Sequence, residues 1–263
     1  MSFKLGDYLI KEIMYGYASE PSVNFTGLPL YILTQLSEGT IDITSDSDDI
    51  MDKSGNLVKK IWKAKKGELS AKNAFINGNI MEAASGSKAD FASEGNKIKF
   101  PKLISGKPGS KIDITGYVTG TIKVNALYGD GTMGDRVADD VVSAAISENT
   151  LTLPEKMGDA DAFIVKFVRE CDNGAVIRNK ADKYPSSVDL LLKCKYYDPC
   201  SRNKVKPIYV HIPSFQVSPE TSISLSSANP NMDYKGSLEI DYCSIDKILY
   251  ETFIPGDEEE DDD

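Results

Sequence analysis

The sequence predicts an all-β protein, a mainly antiparallel β-sandwich or barrel with one or two short flanking helices. Three observations lead there. At least eight segments alternate apolar and polar residues or are rich in β-branched and aromatic types, as half-buried strands are. Only one segment, residues 74–84, carries apolar residues at clear helical spacing. Finally, IDITGYVTGTIKV at 112–124 puts Ile112, Ile114, Gly116, Val118, Gly120, Ile122 and Val124 in one phase and Asp113, Thr115, Tyr117, Thr119, Thr121 and Lys123 in the other. Period-two geometry sends two such sets to opposite faces. At ~3.3 Å per residue the stretch predicts a strand of roughly 40 Å with one wet face, as antiparallel sheets have.

In chain order, residues 1–28 read as a mixed lead-in containing Pro21, with a short amphipathic segment around Leu5, Tyr8 and Leu9. From Leu30, LYILTQL and GTIDITSD read as strands, Ile41 and Ile43 alternating with Asp42 and Thr44. NLVKKIWKAKKGELSAK then returns antiparallel after a turn at Asp52-Lys53-Ser54-Gly55-Asn56, where Gly and Asn tolerate positive φ. This predicts a hairpin over 38–72. The 74–84 helix aligns Phe75, Asn79, Ile80, Ala83 and Ala84, with Gly86 available as its C-cap. Further strands are expected at KIKF, ENTLTLPE, AFIVKFVREC, SVDLLLKCKYY, PIYVHIPSFQV, SISLSS, SLEIDYC and KILYETFI. RVADDVVSAAIS (136–147) fits helix or strand equally. No internal repeat is visible. The main β-domain spans 29–254, and an acidic tail occupies 255–263.

The chain of 263 residues is long enough for one large β-domain or two smaller ones, and 41% hydrophobic content supports a sizeable core. Its formal charge of −10 is concentrated: seven of the 40 acids lie in DEEEDDD at 257–263. The remaining 33 acids face 30 bases, so the folded body is nearly neutral and implies neither a nucleic-acid-binding surface nor a basic membrane face. Seven like charges with no apolar residue predict a disordered tail. The four cysteines, Cys171, Cys194, Cys200 and Cys243, have no CxxC spacing, which argues against a disulfide framework. The N-terminus MSFKLGDYLIKEIM lacks a basic region followed by an apolar run, and no apolar stretch approaches 18 residues; the expectation is a soluble chain of a reducing cytoplasm.

Several motifs suggest chemistry and fail in context. Gly129-Asp130-Gly131-Thr132-Met133-Gly134 matches GxGxxG, but Asp130 and Asp135 would bring negative charge to a pyrophosphate, so a flexible β-loop is the better reading. Asp46, Asp48, Asp49 and Asp52 do not form a calcium loop, since the fifth and sixth positions from Asp46 are Ile50 and Met51. His211, the only histidine, lies in the polar phase of IYVHIP with no nucleophile motif nearby and reads as a surface or interface residue. Zinc held by His211 with Cys194, Cys200 and Cys243 matches no common spacing. The sequence therefore predicts no catalytic residues, no metal and no cofactor. One asymmetry remains. The outgoing arm of the 38–72 hairpin carries Glu38, Asp42, Asp46, Asp48, Asp49 and Asp52, and the returning arm and its continuation carry Lys53, Lys59, Lys60, Lys63, Lys65, Lys66 and Lys72. These charges pair across the hairpin or register it against a neighbouring copy. On the second reading Asp46, Asp48, Asp49, Asp52, Lys59, Lys60, Lys63 and Lys65 are the candidate inter-subunit contacts.

The stretch LYILTQLSEGTIDITSDSDDIMDKSGNLVKKIWKAKKGELSAKNAFI resembles the N-terminal half of tailed-bacteriophage virion structural proteins, most closely the tail tube (major tail) group. The resemblance runs through a strand, a D-x-x-G-x-x-V turn, a Lys-rich strand and a G-x-x-x-x-x-N-A approach to a helix, here Asp52, Gly55, Val58, Gly67, Asn73 and Ala74. VHIPSFQVSPETSISLSSANPNMDYKGSLEIDYC, with its IPS strand and late hairpin, adds a similar pattern, and together these cover about two thirds of the chain.

The resemblance implies a virion protein assembled in a host bacterial cytoplasm, whose hexameric rings stack into a tube for DNA delivery and contact other tail or head proteins, with no membrane partner. DNA would pass transiently and non-specifically. The 112–124 strand would then supply a channel wall through Asp113, Thr115, Tyr117, Thr119, Thr121 and Lys123. The length departs from a minimal tube protein and leaves room for an inserted subdomain around 125–185. The alternatives are a capsid decoration or head-tail connector protein of β-sandwich fold, or, outside viruses, a β-sandwich binding module. An enzyme has no convergent acid, base and nucleophile behind it.

Overall fold

A computed structural model describes residues 9–22, 25–197, 205–225, 231–240 and 246–256. The chain forms two compact units, the first made of Met1–Lys88 with Ile177–Asp263 and the second of Ala89–Val176. In its first stretch the first unit contains β1 (Leu9–Ser19), β2 (Pro29–Leu33), β3 (Leu36–Met51), β4 (Leu57–Asn73) and helix α1 (Gly78–Ser85). The second contains β5 (Asp90–Phe91), β6 (Ile98–Gly106), β7 (Lys111–Asp113), β8 (Lys123–Leu127), β9 (Met133–Arg136), helix α2 (Asp139–Ala144), β10 (Ile146–Ser147), β11 (Thr150–Thr152), β12 (Ala162–Cys171) and β13 (Ala175–Val176). The chain then returns to the first unit for β14 (Ser187–Tyr197), β15 (Val205–Val217), β16 (Ile223–Ser224), β17 (Asn231–Leu238) and β18 (Glu251–Phe253). The strand pairings described are antiparallel, and the two helices are short, so the fold class is the one the sequence predicts.

In the first unit the strands run β2-β1-β14-β15-β17-β4-β3, with β16 added on β17 and β18 on β15. The centre of the sheet is its most apolar part. The even positions of β14 and β15 (Leu190, Leu192, Cys194, Ile208 and Ile212) enter the core with Leu33, Leu69, Phe215, Met232 and Tyr234. Helix α1 closes this core with Ile80 and Ala84. It starts four residues later than its sequence pattern suggests, because Asn77 caps it by accepting from the backbone N–H groups of Asn79 and Ile80. It ends at Gly86, as expected. The hydroxyl of buried Tyr234 lies 3.1 Å from that of Tyr31, which packs against the core from its margin; burial pushes the Tyr31 pKa up to about 12 and that of Tyr234 well above its ordinary range.

In the second unit a four-stranded sheet, β6-β12-β8-β9, and a three-stranded one, β10-β11-β7, share a core of Phe163, Val165, Phe167, Val124, Ile112, Ile114 and Leu151, which α2 joins through Val142. The undecided 136–147 segment is both: helix over Asp139–Ala144, then strand at Ile146–Ser147.

The structure corrects the continuous strand expected over 112–124. Its apolar phase does point inward, since Ile112, Ile114, Ile122 and Val124 are buried. The chain nevertheless breaks between them. Gly116 and Gly120 take φ of 75° and 80°, and turns close from Tyr117 N–H to the Ile114 carbonyl and from Thr121 N–H to the Val118 carbonyl. The segment leaves the three-stranded sheet through β7 and enters the four-stranded one through β8, so one run of alternation serves two sheets.

Candidate assembly surface

The hairpin expected at 38–72 is formed by β3 and β4, joined through Asp52–Asn56. The Asp52 carboxylate accepts from the backbone N–H groups of Ser54 and Asn56 at 2.8 Å and from Asn56 Nδ2 at 2.9 Å, and these bonds hold its pKa below the ordinary 3.8. From Gly67 to Asn73, β4 is also paired with β17. From Leu57 to Lys66 its only strand partner among the described residues is β3, and every residue there is exposed. This part forms a two-stranded ribbon of roughly 33 Å at ~3.3 Å per residue.

The ribbon's charges meet across its strands. Lys63 lies 2.9 Å from Asp48, Lys66 3.3 Å from Asp46, Lys60 3.9 Å from Asp49, and Lys72 2.7 Å from Glu38 at the base. Lys59 and Lys65 have no acid within ion-pair range among the described residues. Cross-strand pairing is thus realised within the chain, with each exposed pair contributing about 0–1 kcal/mol.

Between the charges the ribbon exposes Ile50, Met51, Leu57, Val58, Ile61 and Trp62, the last at 65%. The sequence reading treated this segment as a charge pattern and missed its apolar content. The signal was in LVKKIWKAKK, where lysine and apolar residues share both phases: Lys60, Trp62 and Val58 in one, Lys59, Ile61 and Lys63 in the other. Neither face can then be a core face.

The six residues proposed for a channel wall do not form one face of one strand. Asp113 Oδ1 accepts from the Thr115 backbone N–H at 2.9 Å and hydroxyl at 2.6 Å, closing a turn. Thr121 donates its hydroxyl to the Val118 carbonyl at 2.6 Å and accepts the Val168 N–H at 3.1 Å. Lys123 pairs with Asp139 at 3.0 Å, Tyr117 packs on the second unit's core, and Thr119 is exposed beside the Gly120 turn.

His211, read from the sequence as a surface or interface residue, is not on the surface of the subunit. Its side chain is 8% exposed and bonded on both sides, Nε2 to Asp189 Oδ1 at 3.0 Å and Nδ1 to Glu251 Oε2 at 3.3 Å. With both ring nitrogens facing carboxylates, neither is placed to take a proton from a nucleophile. Cys194 points into the core, the opposite side of the sheet from His211, and burial raises its thiol to about 11; Cys200 and Cys243 lie outside the described residues. No group of three or more His, Cys, Asp or Glu placed to hold a metal exists among the described residues. The GxGxxG stretch is the tight turn between β8 and β9, where Asp130 Oδ1 accepts from the N–H and hydroxyl of Thr132. Among the described residues no helix is long and apolar enough to cross a membrane.

The first unit is thus an antiparallel β-body that bears a long exposed ribbon. The profile of the YomU/Tube protein family matches residues 23–239, and the chain belongs to that family. It is therefore a phage tube-like structural protein, a virion component of a class that is typically non-enzymatic. No curated protein matches the chain.

Proposed function

We propose that the protein is a tail tube subunit whose hexameric rings stack around a channel for DNA delivery, with the β3–β4 ribbon as the arm that reaches the next copy. The observation that carries this reading is the ribbon itself, within a chain of the tube family. An isolated two-stranded hairpin is marginal in water, and this one adds exposed Trp62, Val58 and Ile61 to that cost. Both conditions are relieved when the ribbon lies on a neighbour. The partners are then other copies of the chain and the head or tail proteins at the ends of the tube. The nearly neutral body, with 33 acids to 30 bases outside the tail, suits a channel that DNA passes without being held by phosphate contacts. The acidic tail at 257–263 lies outside the described residues; on this reading it belongs at the lumen or at a surface between rings, and its alternative role is only to keep the chain in solution.

Negative-stain microscopy of the purified full chain tests the proposal. Rings or tubes are the expected result. Monodisperse single particles that bind only to capsids would replace it with a decoration role.

A further inference from the structure

Three separate parts of the first unit converge on the chain's only histidine. β14 brings Asp189, 5% exposed, to Nε2, and β18 brings Glu251, 34% exposed, to Nδ1. The loop between β1 and β2 lays the Phe25 ring against the imidazole, centroids 4.5 Å apart. Phe25 holds φ of 57°, a left-handed conformation phenylalanine rarely adopts, and is 59% exposed, so its ring caps the imidazole from the solvent side. Phe253 of β18 meets the same Phe25 ring edge-on at 6.3 Å.

The hydrogen-bond inventory fixes the protonation state this arrangement needs. An ionised carboxylate only accepts, and a neutral imidazole has one N–H. Two carboxylates on two ring nitrogens are both satisfied only when both nitrogens carry protons. We propose that His211, as an imidazolium, is a strap that holds the C-terminal strand β18 on the edge of β15, and that loss of its proton as pH rises releases β18. After deprotonation one N–H remains for two acceptors. Asp189 keeps it, because it is nearer and more deeply buried and a buried acceptor left bare is costly, whereas Glu251 can turn to water.

Among the described residues β18 is held by its pairing with Tyr209, Val210 and His211, by the Phe253–Phe25 contact, by the packing of the adjacent Ile254 on the core and by a 3.5 Å contact from Lys206 Nζ to the Gly256 carbonyl. Its departure uncovers that length of the β15 edge, an unpaired ladder ready to accept another strand. Among the described residues, Tyr209 of β15 and Lys193 of β14 lie next along the same face of the sheet, the Lys193 ammonium 6.0 Å from the centre of the Tyr209 ring, and Glu20 belongs to the loop that carries Phe25. Desolvation pulls the His211 pKa down, but the hydrogen bonds and charges of Asp189 and then Glu251 outweigh it, and the net direction is upward from 6.5. The strap's contribution is therefore complete below 6.5 and lost as pH rises through the higher folded value.

Because the chain has one histidine, deuterium exchange at its imidazole Cε1 position, followed by mass spectrometry across pH, reads this group alone in free or assembled protein. The same samples give backbone amide exchange over residues 246–256. The expected result is a His211 midpoint above 6.5 and, through that midpoint, a loss of protection at 251–253 on the order of tenfold after correction for intrinsic exchange. In Glu251→Gln the amide can donate to the neutral ring or accept from the charged one, so the step in protection should vanish. A midpoint at or below 6.5 would overturn the proposal. So would unchanged protection of 251–253 through the midpoint, or an undiminished step in Glu251→Gln.

Discussion

Trp62 is the chain's only tryptophan and sits on the exposed ribbon, so one fluorophore reports whether that ribbon is covered in the assembled state. A tryptophan side chain presents up to about 250 Å². With 65% exposed, about 160 Å² is left to bury, worth at most about 4 kcal/mol at ~25 cal/mol per Å². Half of that burial against a neighbour is about 2 kcal/mol, or on the order of 30-fold in the association constant. Within the subunit, Trp62 has little at stake beyond the Lys60 ammonium 5.1 Å from its ring, an exposed contact of about 0.5–1 kcal/mol. Trp62→Ala should therefore leave the urea midpoint of the free subunit almost unchanged while raising the concentration needed for tubes about 30-fold, as followed by sedimentation and microscopy. In the unaltered chain, emission should move to the blue as tubes form. Identical spectra for free subunits and tubes would refute the reasoning, because the ribbon would then stay in water after assembly.

Two further outcomes follow from the interior and the turn. A Cβ added at Gly236 would lie 2.2 Å from the Gln216 carbonyl oxygen and 2.6 Å from the Phe215 ring, so Gly236→Ala should destabilise the first unit by on the order of 3 kcal/mol in urea. Gly95→Ala, which meets nothing within 4 Å, should change stability by less than about 0.5 kcal/mol. Asp52 has a folded pKa below its ordinary 3.8, so its contribution to the turn is present above 3.8 and lost as pH falls through the lower folded value. Amide protection across 51–58 should therefore weaken in acid, and Asp52→Ala should show the weakened state already at neutral pH.

The central strands were legible because their inward phases are apolar without interruption. AFIVKFVREC and SVDLLLKCKYY became β12 and β14 with the bounds their sequences suggest. β1 was not legible, although it lies between β2 and β14 in the main sheet. Its register shifts between Ile10 and Glu12 and again between Ile13 and Tyr15, and each shift exchanges the faces, so LIKEIMYGYAS shows no steady period. At 112–124 the period was right and the continuity wrong, since glycine fits either phase of a strand and also the turns that end one. The His211 cluster could not be read locally: its carboxylates are 22 and 40 residues away, and only Asp189, an acid inside the apolar run of β14, hinted at a buried partner. The ribbon's acidic and basic arms were plain in the sequence, but which acid meets which lysine depends on the shifts at Ser45/Ser47 and Ile50/Met51.

Those arms give the ribbon an acidic edge along β3 and a basic edge along β4 beyond Gly67, where β17 no longer covers it. An acidic edge that meets the basic edge of the next copy makes a head-to-tail contact, the kind that closes into rings or propagates as a stack. Of the candidate contact lysines, Lys60 and Lys63 already pair within the chain and Lys59 and Lys65 do not among the described residues, so reversing all four to Glu tests both roles together. That variant should fail to form tubes while its subunits stay folded, because exposed pairs contribute only about 0–1 kcal/mol each. Assembly of the unaltered chain should also weaken with salt, which screens such contacts over about 8–10 Å. A mixture separates the two roles. Subunits with the four lysines reversed are combined with subunits in which Asp46, Asp48 and Asp49 are replaced by Lys. Of the pairs described above, the first variant keeps only Lys66–Asp46 and Lys72–Glu38 and the second only Lys72–Glu38, so the edges of each ribbon are predominantly of one sign and contacts between unlike copies restore the complementarity. Mixed tubes, with neither variant assembling alone, are the expected result. If the mixture stays unassembled while a chain carrying both sets of reversals forms tubes, the charges act within each ribbon, and specificity between copies must come from Trp62 and its apolar neighbours.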